Sequence, residues 1–241
     1  MIQIENITKS FDGVPVLRGV SLTVATGEFV ALIGRSGYGK SVLLRHVAGL
    51  LRPDSGRVLI DGQDLTGLHG RELEALRSRF GFVFQGGALF DSLSVFDNVA
   101  FPLREKTRRS ETEIAEQVRA ALGRVGLEGS EDKLPAEISG GMVKRTALAR
   151  ALVMEPEFLF FDEPTTGLDP LTAQDVLNLI HECHRNLGFT GIIVSHQIPR
   201  VFDIVNQVAV LHNGQIRYFG TPDGLERSAD EAVRQLVTGR A

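Results

Sequence analysis

Apolar and polar positions alternate over residues 2–7, with Ile2, Ile4 and Ile7 set against Gln3, Glu5 and Asn6, the period of a strand resting one face on a core. A second strand-like run covers residues 16–24. Residues 29–33 are apolar throughout, as a strand buried on both faces requires. The period then lengthens, and residues 42–49 read as a helix. Arg52-Pro53-Asp54-Ser55-Gly56 breaks the pattern; residues 57–60 form a short strand closed by Asp61-Gly62, a hairpin-type turn. Residues 71–79 read as helix, and 80–84 as another buried strand that ends at Gln85, before Gly86-Gly87.

From about residue 88 to 155 strand runs vanish. Ile114, Val118, Leu122 and Val125 fall at helical spacing, with Glu111, Glu113, Glu116 and Arg119 between them. This predicts an inserted helical lobe over 88–155. It splits a core made of residues 1–87 and 156–241. Four bulky apolar residues, 158–161, then run into Asp162-Glu163, and residues 190–194 run into Ser195-His196. Strands at 208–211 and 216–219 flank Asn213-Gly214, a strong hairpin signal. Thr221 and Pro222 open a helical tail over 221–241, with an apolar stripe at Ala232, Val233, Leu236 and Val237. Strands alternating with helices predict an α/β fold.

The chain has 241 residues, enough for one large domain or two small lobes. Its formal charge of −4 argues against binding nucleic acid, which a basic excess would favour. The basic stretch 104–109 reads as a solvated loop, with proximity to membrane headgroups as the minor alternative. One cysteine, Cys183, permits no internal disulfide. It sits in His181-Glu182-Cys183-His184, where a buried helix face is the leading reading and a metal site the lesser one. The N-terminus lacks the basic start and apolar block of a signal peptide. No apolar run approaches the roughly 20 residues that span a bilayer. The expectation is a chain that works on a membrane only through a partner.

The chemistry begins at Gly34-Arg35-Ser36-Gly37-Tyr38-Gly39-Lys40-Ser41, which fits G-x-x-x-x-G-K-[ST] between a strand and a helix. Three glycines let successive N–H groups converge on an anion, and the loop opens onto a helix N-terminus that favours phosphate. Lys40 adds a charge for the β- and γ-phosphates of a nucleotide, and Ser41 a hydroxyl for Mg²⁺. Phe11, upstream, suits stacking on a base or packing on its own sheet; position leaves both open. Ser139 reads as a helix cap, with Gly140 and Gly141 leaving bare backbone suited to a phosphate. Asp162 and Glu163 leave a strand at its C-terminal end, where parallel sheets hold their sites. Asp162 suits Mg²⁺, through water, and Glu163 an attacking water. His196, at another strand end, reaches toward a γ-phosphate or serves the fold.

The order of these pieces resembles an ABC-transporter nucleotide-binding domain over essentially the whole chain. The resemblance implies a P-loop NTPase core, a RecA-like lobe with an antiparallel β subdomain, carrying an inserted α-helical subdomain, the whole a single ABC ATP-binding domain. Residues 34–41 then look like Walker A, with Val42 where a second Thr is common. Phe11 looks like the adenine-stacking aromatic, and Gln85 like the Q-loop residue that senses Mg²⁺ and the attacking water. Residues 138–142 resemble the signature L-S-G-G-Q, with Ile138 and Met142 as departures. Asp162 resembles the Walker B aspartate, Glu163 the catalytic glutamate, Asp169 the D-loop aspartate and His196 the switch histidine.

The same resemblance implies ATP hydrolysis with Mg²⁺. The ATP is sandwiched head to tail between two copies, Ser139, Gly140 and Gly141 of one facing the loop of the other. Residues 84–105 with 139–145 look like the ATPase subunit of Mla/Mce-type phospholipid transporters. That implies a multi-spanning permease, an MCE-domain protein, a small STAS-domain regulator, and a place on the cytoplasmic face of a bacterial inner membrane. Leu89, Phe90 and Phe96 are then expected in the permease pocket. The rival readings are the motor of a polar-solute importer, a soluble ABC ATPase acting on ribosomes or DNA, and an ATP-gated scaffold with slow turnover.

Overall fold

The computed structural model describes residues 1–225 and 227–238, the side chains of 237 and 238 excepted. The strands are β1 (Ile2–Phe11), β2 (Val14–Val24), β3 (Phe29–Ile33), β4 (Ser55–Ile60), β5 (Gln63–Asp64), β6 (Phe80–Val83), β7 (Phe158–Asp162), β8 (Thr190–Val194), β9 (Gln207–His212) and β10 (Gln215–Gly220). The α-helices are α1 (Lys40–Val47), α2 (Gly70–Arg77), α3 (Val95–Lys106), α4 (Glu111–Arg124), α5 (Gly140–Leu152), α6 (Pro170–Leu187), α7 (Pro222–Leu225) and α8 (Glu231–Thr238).

Among the described residues the strands form two sheets. One is antiparallel, in the order β2-β1-β4-β5; the other runs β10-β9-β3-β8-β7-β6. In the larger sheet β6, β7, β8, β3 and β9 are mutually parallel, and β10 closes one edge antiparallel to β9. The unbroken apolar runs of β3, β7 and β8 are explained by this position. Phe29, Ala31, Ile33, Leu159, Phe161 and Ile193 face a core shared with α3–α6. Val30, Leu32, Phe158, Phe160, Ile192 and Val194 face a second core shared with α1 and the antiparallel sheet. A strand buried on both faces leaves polar residues only at its ends, where they find partners: Thr190 Oγ1 accepts from Gly27 N–H at 2.9 Å and Asp162 Oδ1 from Ser41 Oγ at 2.6 Å.

The first hairpin is longer than the alternation predicts. β1 continues through Thr8-Lys9-Ser10 to Phe11, which pairs with Val14 across an Asp12-Gly13 turn. These polar positions hold a strand because ladder pairing with β2 satisfies the backbone without burying the side chains. The step from Ile4 to Ile7 is a bulge: the register shifts there and Asn6 sits at φ +50°, its N–H bonded to Ser21 Oγ at 3.0 Å. The extra residue keeps Ile2, Ile4 and Ile7 all on the buried face. At the other end, Asn213-Gly214 (φ +48° and +76°) makes the tight turn between β9 and β10.

The helices over 95–152 are set by caps as well as by apolar spacing. Ser94 accepts from Asp97 N–H, and Ser110 with Glu113 forms a reciprocal capping box. Ile114, Val118, Leu122 and Val125 are all buried. Near the end, Val233 is buried and Leu236 packs on the first core. The Val237 side chain, and residues 226 and 239–241 of the predicted tail, lie outside the described residues.

Candidate functional site

β3 ends at Ile33 and α1 starts at Lys40, so the glycine loop spans the gap between a buried strand and a helix. Gly34 has no room for a side chain: a Cβ there would lie 2.2 Å from Leu211 O on β9. Gly39 caps α1 at φ +93°, and a Cβ would meet Val16 Cγ1 at 2.8 Å. Between them Arg35, Ser36 and Gly37 are exposed, while Tyr38 is half-buried, its ring edge-on to His212 at 5.0 Å. Val42 is part-buried and its carbonyl pairs with His46 Nδ1 at 2.6 Å. Lys40, only 4% exposed, folds back over the loop and donates to Gly34 O (2.9 Å) and Arg35 O (3.0 Å). Burial pushes its ammonium below the usual lysine range, and Glu163 and Asp162 pull it back up.

β7 and β8 deliver the polar groups to this loop. Ser41 Oγ donates to Asp162 Oδ1 at 2.6 Å, and Arg45 Nη2 lies 3.8 Å from the other Asp162 oxygen. Glu163 follows at φ +50°, a conformation that turns it off the line of β7; its N–H donates to Val194 O at 3.0 Å. Three side chains converge on its carboxylate: His196 Nε2 at 2.7 Å, Thr166 Oγ1 at 3.0 Å and Gln85 Nε2 at 3.1 Å. Lys40, Ser41, Asp162, Glu163, His196 and Gln85 are thus gathered from four separate stretches of chain. Gln85 bonds to Glu163 and not to Asp162.

Arg45 and Thr166 join the cluster without a motif to announce them. Arg45 lies one helical turn beyond Ser41 on α1, so helix spacing was the available signal there; Thr166 lies three residues after Glu163 in a turn, its N–H donating to Glu163 O at 3.2 Å. The oxygens of Ser41, Asp162 and Gln85 are hard donors with one carboxylate among them, a set that fits Mg²⁺ completed by phosphate and water.

Phe11, Ser139, Gly140, Gly141 and Asp169 stand apart from this cluster. Phe11 is 43% exposed, its ring 5.5 Å from Lys9 Nζ. Ser139 caps α5, accepting from Met142 N–H at 3.3 Å. Asp169 caps α6, accepting from Leu171 and Thr172 N–H at 3.1 Å each. The Thr172 contacts hold its carboxyl below the usual aspartate range. These two helix N-termini touch: a Cβ on Gly141 would lie 2.6 Å from Thr172 Cγ2. Among the described residues no hydrogen bond joins them to Lys40, Ser41 or Glu163. They form a second, separate face on the same chain.

The four-residue run His181-Glu182-Cys183-His184 lies on α6. Cys183 is buried and its thiol is pushed up to about 11 by that burial. His184 packs on Phe29 with ring centroids 5.1 Å apart and pairs with Gly27 O.

A groove opens along β6, the far edge of the parallel sheet, in two adjoining parts of about 640 and 340 Å³. Phe80, Phe82 and Phe84 form its floor, and Phe90 and Phe101 part of its wall, their rings 4.7 Å apart. Leu89 and Phe96 are part-buried and pack against the core of the helices. Phe96 shares its face of α3 with the buried Val99, Ala100 and Leu103, three, four and seven residues on, so helical phase turns it toward that core.

The sequence profile of the ABC transporter family matches residues 17–166. A probable ribonucleotide transport ATP-binding protein, mkl, of Mycobacterium tuberculosis is 42% identical over 239 residues, covering 99% of this chain and 67% of its own length. The intermembrane phospholipid transport system ATP-binding protein MlaF of Haemophilus influenzae is 39% identical over 241 residues, covering 100% of this chain and 91% of its own. A solved dimeric ATP-binding cassette in a post-hydrolysis state, bound to ADP and Pi, superposes with a TM-score of 0.84 at 31% identity, over 92% of this chain and 99% of that one.

Proposed function

We propose, from the premise that this chain belongs to the ABC transporter family of ATPases, that it is the motor subunit of a membrane transporter that moves phospholipids or related lipids between membranes. The observation that supports hydrolysis best is the Glu163 carboxylate, held by His196, Thr166 and Gln85 beside the Ser41–Asp162 pair. A carboxylate fixed by three donors is oriented before substrate arrives, which is what proton acceptance from a water requires. On this reading Lys40 and the N–H groups of residues 34–41 hold the phosphates of ATP. Val42 continues the helix whose N-terminus faces them. Ser41, Asp162 and Gln85 would hold Mg²⁺, which neutralises phosphate charge when bound. Glu163 takes a proton from the attacking water. His196 keeps the carboxylate aimed and reaches toward the γ-phosphate.

The separate face of Ser139, Gly140, Gly141 and Asp169 is read as the half-site offered to a second copy. It presents the Ser139-capped N-terminus of α5, suited to phosphate, beside the Asp169-capped start of α6, and no bond among the described residues ties either to the chain's own loop. One ATP-binding domain with residues 88–155 inserted accounts for this: the insertion carries Ser139, Gly140 and Gly141, and the core, 1–87 and 156–241, carries Asp169 and the glycine-loop half-site.

Among the described residues no helix is long and apolar enough to cross a membrane. We read the chain as peripheral on the cytoplasmic face of a bacterial inner membrane, held there by a multi-spanning permease seated in the aromatic groove. An MCE-domain protein and a STAS-domain regulator complete the complex, and nucleic acid has no part. Phe90→Ala with Phe101→Ala is expected to reduce co-purification of the permease by tenfold or more, by analogy with buried aromatic anchors of about 2 kcal/mol at interfaces. ATP hydrolysis by the subunit alone stays near its starting rate. Unimpaired co-purification would move the permease site elsewhere.

Phe11 is read as the aromatic that meets adenine. Phe11→Ala should then weaken ATP binding by about tenfold to a hundredfold, the worth of one stacked base at about 1–3 kcal/mol. An unchanged dissociation constant assigns the ring to its sheet.

The mkl relative's name favours a second reading, a polar-solute importer. Affinity purification from native membranes separates the two. Bound phospholipid with an MCE-domain protein supports lipid transport. A solute-binding protein in their place supports the importer.

A further inference from the structure

Helix α5 holds the chain around Gln85 by its carbonyls. The Gly87 N–H donates back to Phe84 O at 2.8 Å, and Gly87 and Ala88 both take positive φ, +78° and +47°. Carbonyls in such a turn point away from the strand ladder and need donors from elsewhere. Two cations of α5 supply them. Lys144 Nζ donates to Gln85 O, and Arg150 donates to Gly87 O at 2.7 Å and Ala88 O at 2.8 Å. The apolar side of the contact is as close: a Cβ on Gly87 would lie 3.1 Å from Val143 Cγ1.

Lys144 is 6% exposed, and no carboxylate among the described residues pairs with it. Desolvation works against its charge, so an ammonium in this place needs a reason other than stability. The residue it grips touches Glu163 at its other end, through the Gln85 amide. The turn also opens on the aromatic groove, which Phe84, Ala88 and Arg150 all line. One rigid helix of 13 residues therefore connects three places: the Ser139 N-terminus, the Gln85 backbone and the groove.

We propose that Lys144, braced by Arg150, is a positioning residue that holds Gln85 on Glu163 and makes that contact depend on where α5 stands against the β6 edge. The proposal rests on Gln85 and Glu163 both acting in hydrolysis.

The test is a double-mutant comparison of ATP hydrolysis by the full chain, using Lys144→Met, Lys144→Arg, Gln85→Ala and the Gln85→Ala, Lys144→Met pair. Lys144→Met is expected to lower kcat by roughly tenfold to a hundredfold, the range that follows a small misplacement of a reacting group. KM for ATP should hold within about twofold, and Lys144→Arg should recover most of the rate. In the Gln85→Ala background the Lys144 change should alter kcat by less than about twofold, since the path it acts through is gone. An equal fall in both backgrounds makes Lys144 a structural residue and overturns the proposal, as does an unchanged kcat in Lys144→Met. If Gln85→Ala itself leaves kcat unchanged, the role of Gln85 in hydrolysis fails and takes the proposal with it. A slow Gln85→Ala beside a fast Lys144→Met sinks the clamp alone. Should Lys144→Met lose its thermal unfolding transition, Arg150→Lys, which gives up one of the two carbonyl bonds, carries the same comparison.

Discussion

Glu163→Gln binds ATP and turns it over about a hundredfold to ten-thousandfold more slowly than the parent, the span expected when a positioned general base is removed. The side chain keeps its size and one carbonyl oxygen, so most of the contacts with His196, Thr166 and Gln85 have a counterpart. What is lost is the ability to take a proton. Binding and chemistry therefore separate: the dissociation constant for ATP stays within about threefold while kcat collapses. If ATP bridges two copies, the variant also accumulates as a dimer in the presence of ATP, because the step that would release it is blocked. Phosphate release and light scattering, run on the same sample, check both halves. Normal turnover would remove Glu163 from the chemistry and leave its three hydrogen bonds as a structural cluster.

Much of the architecture could be read because the central strands carry polar side chains only at their ends, Thr190 opening β8 and Asp162 closing β7. Residues 29–33, 158–161 and 190–194 are buried on both faces, and a period-free apolar run that ends in polar residues admits few other arrangements. The acids at the end of β7 and the histidine beyond β8 were legible for the same reason: parallel neighbours end together, so Asp162 pairs with Val194 in register and brings Glu163 beside His196. Contacts made across the fold were not legible. Nothing in Val143-Lys144-Arg145 distinguishes a solvated cation from one that grips a carbonyl 59 positions away, as Lys144 does. Helical phase decided Phe96 against the groove and Phe101 for it, and that phase depends on a helix start, Ser94, that apolar spacing alone did not locate. The β1 bulge was hidden in plain alternation, since an extra residue between Ile4 and Ile7 looks like the end of a strand until the partner strand is known.

Lys40→Ala acts one step earlier than Glu163→Gln, and the two should be told apart by what each retains. The Lys40 ammonium is held over the loop by the Gly34 and Arg35 carbonyls, with Glu163 and Asp162 near enough to favour its charge against burial. A phosphate entering the loop exchanges carbonyl partners for anionic oxygens, a trade that strengthens the bonds because both sides are then charged. Alanine removes the charge and leaves two carbonyls without their donor, so both nucleotide affinity and hydrolysis fall. Hydrolysis should drop by about a hundredfold to a thousandfold, the usual cost of removing a donor aimed at developing negative charge. Lys40→Arg tests whether charge alone suffices: at 4% exposure the slot is closed to a planar guanidinium, and the rate should stay low. Calorimetric ATP titration beside the phosphate-release assay reads both quantities, with thermal melting to show that the loop variant is folded. Near-native hydrolysis in Lys40→Ala would sink the phosphate-loop assignment itself. Loss of binding here, against retained binding in Glu163→Gln, would instead divide the site into a half that holds the nucleotide and a half that cuts it.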